Sequence, residues 1–129
     1  MTQTHIILVR HGEAASSWSQ HPDPGLSSDG AIQAKNVSEE FTEKFSSYEL
    51  LSSPKSRAIE TMEPIALKQK RDFAINNNFI EIPSADIESK KKQAWLKQVF
   101  EAPLDELPDA VKTWRHNLIH WLEGYKGNA

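Results

Sequence analysis

At 129 residues the chain has room for one compact domain and too little for two, so residues 1–129 are read as a single unit. Fifteen Lys and Arg against 18 Asp and Glu leave a formal net charge of −3, opposite to the basic balance of a nucleic-acid binder. No apolar run approaches the roughly 20 residues of a membrane span, no secretory signal opens the chain, and the absence of cysteine removes disulfide and thiol chemistry. A cytoplasmic domain with no membrane or nucleic-acid partner is expected.

Taken in order, the chain alternates strand-like and helix-like patterns, which argues for an α/β layered fold. Ile6-Ile7-Leu8-Val9 is a β-branched run without alternation, as a strand buried on both faces requires. It stops at Arg10-His11-Gly12, and a loop rich in Ser, Pro and Gly runs to about Asp29. Ser27 or Ser28 is set to cap a helix on which Ala31, Ala34, Val37, Phe41 and Phe45 recur every three or four residues. Residues 48–52 read as a second strand, ended by Ser53-Pro54. Ser56 is set to cap a second helix through Ile59, Met62, Ile65 and Ala66, which Pro64 should kink or shorten.

Residues 73–75 read as a weak strand, 76–78 as a turn and 79–82 as a short extended piece. Beyond Pro83 the chain is polar, with Lys90, Lys91 and Lys92 as a solvated face, before an amphipathic segment over 95–100. The clearest helix is the last, where Val111, Trp114, Leu118, Trp121 and Leu122 form one stripe that Gly124 ends.

The chemistry-bearing residues gather at the first strand's carboxyl end, where open α/β sheets place their ligands. There a cation beside His11 would hold an anion while neutral imidazole attacks phosphorus, and Gly12 would let backbone approach the ligand closely. Three blocks strengthen this reading: LVRHGEA from Leu8, LSSDGAIQA from Leu26 and LSSPKSRAIETMEPI from Leu51. In order and spacing they resemble the histidine phosphatase superfamily, the phosphoglycerate-mutase-like fold, over about the first half of the chain.

That resemblance implies a three-layer α/β domain, a mostly parallel sheet with helices on both faces. It implies that His11 becomes phosphorylated, that Arg10, Gly12 and Arg57 bind the phosphoryl group, and that the reaction needs neither metal nor other cofactor. Glu81 resembles the acid that protonates the leaving oxygen, with Asp86 its nearest rival. The partner would be a phosphorylated small molecule, a phosphohistidine protein or a simple phosphate or sulfate anion. The activity implied is phosphomonoester hydrolysis, with mutase-type transfer and a non-catalytic phosphate- or partner-binding module as alternatives.

The chain departs from the family in one respect. Relatives place a second histidine at the end of a later strand, and no such strand is readable here. His116 and His120 lie on the last helix, opposite its apolar stripe, so they should face solvent, and HNLIH lacks the glutamate of a zinc-protease motif. His5 and His21 carry no motif and are read as loop or strand-end residues, and Trp18 as a partly buried loop aromatic, with a place in a substrate pocket as the alternative. The chain is therefore expected to be incomplete at its C-terminal end, stopping before that strand. An exposed sheet edge and an uncovered Trp114–Trp121 stripe should then leave it marginally stable, or a homo-oligomer paired across the gap.

Overall fold

The computed structural model describes residues 3–16, 23–84 and 87–125. Among them the elements run α1 (Ser28–Ser38), β1 (Leu51–Ser52), α2 (Ser56–Gln69), β2 (Ala74–Ile75), α3 (Lys92–Glu101) and α4 (Asp109–Gly124), with short 3₁₀ turns in some of the connections. β1 and β2 pair in parallel, Leu51 opposite Ala74 and Ser52 opposite Ile75, with α2 as the crossover. The α/β class and the parallel sense hold, and two strands of the sheet are present among the described residues.

α1 begins where expected because the Ser27 hydroxyl accepts from the Gly30 N–H at 3.0 Å, and Asp29 adds a negative charge to the first turn. It ends at Ser38 instead of continuing through Phe45. The Ser38 hydroxyl turns back onto the Lys35 carbonyl, and Glu39 and Glu40 follow, two anions at the negative end of the helix dipole. Phe41 and Phe45 instead form an aromatic cluster with Tyr48, at 5.3 Å between successive rings.

α2 differs from expectation at both ends. Its first turn is held by Asp23, not by a cap of its own: the Asp23 carboxylate accepts from the Ser56 N–H at 2.8 Å and from the Ser56 hydroxyl at 2.9 Å. Pro64 does not end the helix, which runs to Gln69 with Ile65 and Ala66 buried immediately after the proline. Lys70 then closes it in the left-handed conformation, φ 54°, a position more often given to glycine.

Residues 6–9 depart most from expectation. They join neither strand, and their backbone groups bond to nothing among the described residues. Leu8 is 84% exposed. A strand exists only through its neighbour, and no strand lies beside this segment among the described residues. It instead lines a cavity of about 770 Å³ together with the β1 region, α2 and the end of α4.

The second half is helical. Val99 of α3, Leu107 just before α4, and Val111 on α4 form a small buried cluster flanked by Ile82, Trp95 and Trp114. The stripe on α4 docks it onto the segment after β2, where the expected extended piece begins as a 3₁₀ turn over Asn77–Phe79. Trp114 donates Nε1–H to the Ile80 carbonyl at 2.7 Å, and Trp121 meets the Phe79 ring edge-on at 5.0 Å. This docking fixes the chain on both sides of Glu81.

Candidate active site

His11 is half-buried at the mouth of the large cavity. Its Nδ1 lies 2.7 Å from the Gly12 carbonyl oxygen, which can only accept, so Nδ1 carries the proton in that bond. In the neutral ring Nε2 then bears the lone pair, and it lies 3.2 Å from Arg57 Nε–H, which donates to it. The network thus assigns both the tautomer and the face that Nε2 presents.

Arg57 sits in the first turn of α2 and is only 7% exposed. Besides His11, its guanidinium engages Glu81 through Nη2. Nη1 is buried with no hydrogen-bond partner among the described residues. Buried donors in folded proteins are nearly always satisfied, so a guanidinium with an unused donor has capacity for a further acceptor. Glu81 also lies 3.8 Å from Lys55, a half-buried cation that shares the cavity wall.

The loop bearing His11 is clamped between the first two helices. Gly12 is buried, and a Cβ there would fall 2.5 Å from the Gly30 carbonyl oxygen. A Cβ on Gly30 would fall 2.1 Å from the Glu13 carbonyl oxygen, so the two glycines let the loop lie flush on the start of α1. The close approach that Gly12 permits is therefore to backbone of the neighbouring helix. Gln33 of α1 accepts the Glu13 N–H at 2.8 Å, and Ser27 N–H donates to the Glu13 carbonyl at 2.9 Å. On the other side Gly12 N–H donates to the Thr61 hydroxyl of α2 at 3.1 Å.

Asp23 acts at one remove. It holds the helix start that carries Lys55 and Arg57, and its pKa lies below the ordinary 3.8 because the Ser56 N–H and hydroxyl bond the charged form, with Lys55 and Arg57 adding attraction.

Of the residues singled out from sequence, His11 and Glu81 each meet Arg57 directly. Arg10 lines the same cavity but is exposed and makes no polar contact among the described residues. His116 and His120 are exposed and stack on each other at 5.8 Å, away from the cavity lining. His5 lines the cavity, yet no second histidine hydrogen-bonds to His11 among the described residues. Asp86, Trp18 and His21 lie outside the described residues. Lys55, Thr61, Asp23 and Gln33 were not singled out. For Thr61 the available signal was its place four residues after Arg57, on the same helix face. Among the described residues no cluster of three acidic or histidine side chains is set to hold a metal ion, and no helix is long and apolar enough to cross a membrane.

No curated protein matches the chain. A family model described as the histidine phosphatase superfamily (branch 1) matches residues 6–121, a span that runs from the segment before His11 to Trp121 on α4. The paired His11 and Arg57, the loop clamped on α1 and that match over most of the sequence lead to one conclusion: the chain belongs to the histidine phosphatase superfamily, branch 1.

Proposed function

We propose that the protein hydrolyses phosphomonoesters through a phosphohistidine at His11, acting on a small phosphorylated metabolite or a phosphohistidine protein. The observation that carries this reading is the Gly12 carbonyl bond to Nδ1, which leaves Nε2 as the nucleophilic nitrogen beside a buried arginine. An incoming phosphoryl group takes the donors of Arg57 in place of Glu81 and His11, and Arg10 and Lys55 add positive charge at the cavity.

The Nε2 lone pair forms the N–P bond as the bond from phosphorus to the ester oxygen breaks. Glu81, released from Arg57 and having taken up a proton from water, gives that oxygen the proton. Water then attacks phosphorus, Glu81 recovers a proton from it, the N–P bond breaks and phosphate leaves with His11 restored. No step calls on a metal.

A second reading, a phosphate-binding module that does not turn over, is favoured by one observation: no second histidine bonds to His11 among the described residues. Steady-state hydrolysis of p-nitrophenyl phosphate separates the two. The proposal expects release of phosphate by the parent chain, unaffected by a chelator, and none by His11→Ala. Transfer to an added alcohol in place of release would indicate mutase-type chemistry. Activity that survives His11→Ala, or that a chelator abolishes, would overturn the proposal.

A further inference from the structure

Nothing in the chemistry above uses Thr61, yet it is among the most buried polar side chains, 4% exposed, and it joins the two halves of the site. A threonine within a helix commonly turns its hydroxyl onto the carbonyl four residues back, and Thr61 does so, donating to Arg57 at 2.7 Å. That bond alone would mean little. Here the same oxygen also accepts the Gly12 N–H at 3.1 Å, across 49 positions of sequence.

A hydroxyl has one proton to give. Spending it on the Arg57 carbonyl turns the oxygen lone pairs outward, toward the His11 loop. The two contacts therefore form one chain: Gly12 N–H to Thr61 Oγ1, and Thr61 Oγ1–H to the carbonyl of Arg57. Gly12 is also the residue whose carbonyl fixes the His11 tautomer. On its far side Gly12 rests against Gly30 with no room to move that way.

We infer that Thr61 is the positioning residue that sets the His11 loop against Arg57, so that His11 Nε2 and the guanidinium face one anion at a fixed separation. This rests on the phosphoryl-transfer reading for its purpose, though not for its geometry. Thr61 touches neither substrate nor reacting atoms in this account.

Two substitutions separate the hydroxyl from the packing. Thr61→Val keeps the shape and removes the hydrogen-bonding oxygen, while Thr61→Ser keeps the oxygen and removes a methyl group. Three readouts on the 129-residue chain are needed: exchange of the Gly12 amide proton, the ¹⁵N shift of His11 Nε2, and tungstate affinity by calorimetry. In Thr61→Val the Gly12 amide should exchange at least about tenfold faster, and the His11 Nε2 signal should lose the signature of its arginine contact. Tungstate should bind about tenfold more weakly. Thr61→Ser should restore all three toward the parent.

An unchanged Gly12 exchange rate and Nε2 signal in Thr61→Val would overturn the inference. So would a Thr61→Ser chain as impaired as Thr61→Val, because packing would then be the cause. If the parent binds no tungstate, the phosphoryl reading fails by itself, and the two spectroscopic readouts still decide for or against the tether.

Discussion

Arg57 makes two contacts at once, to His11 and to Glu81, and keeps a buried Nη1 with no hydrogen-bond partner among the described residues. A side chain so buried and so connected is poorly replaced by lysine, which has one charged nitrogen and no fork. Arg57→Ala should lower tungstate or vanadate affinity by the equivalent of about 1.5–3 kcal/mol, the range for a hydrogen bond to a charged group. Calorimetry reads this directly, and an unchanged affinity would remove Arg57 from the site. His11, Arg57 and Gly12 were legible because each sits in a motif whose chemistry demands that residue type. Thr61 and Lys55 were not, since a helix threonine and a loop lysine look the same in sequence whether or not they face a site. Gly12 also accommodates Gly30, a neighbour that its motif does not announce.

Among the elements, α2 matters most, since it presents Arg57 and Thr61 from successive turns. Its start depends on Asp23, whose carboxylate replaces a cap that Lys55 does not supply. Asp23→Ala should cost about 1 kcal/mol at neutral pH, as loss of a helix cap does. Because folding holds the Asp23 pKa below 3.8, the charged form is the one stabilised. That contribution is complete above the unfolded value and is lost as pH falls through the lower folded one. Urea melts of parent and variant should therefore differ at neutral pH and converge below 3.8. A gap that persists unchanged in acid would mean that Asp23 acts through packing alone. The caps and stripes of α1 and α4 were readable because they follow from local periodicity. The early end of α1 and the survival of α2 past Pro64 were not. The first turns on two glutamates at a helix C-terminus, the second on tertiary burial of Ile65 and Ala66.

At the scale of the molecule, the deciding feature is the cavity where residues 6–9 find no partner strand among the described residues. A run of four aliphatic residues was correctly strand-like in composition, but pairing depends on a neighbour that local sequence does not contain. Ile6, Ile7, Leu8 and Val9 are all exposed, beside backbone groups with no bonds among the described residues. The core is correspondingly thin, with no large side chain fully buried among the described residues. Unpaired apolar segments recruit other chains, so the protein should associate as its concentration rises and melt at low temperature when dilute. Light scattering and thermal melts over a concentration series test this. A monomer with a sharp, concentration-independent melt would show that the chain needs no partner for residues 6–9.

The central claim is that His11 Nε2 takes the phosphoryl group, and trapping that intermediate tests it most directly. The chain would be mixed with a phosphomonoester or acetyl phosphate, quenched in alkali and mapped by mass spectrometry and ³¹P resonance. The account predicts one acid-labile phosphoryl group on His11, present in the parent, absent from His11→Ala and reduced in Arg57→Ala. Phosphate found on another residue, or turnover with His11 left unlabelled under every quench, would contradict it.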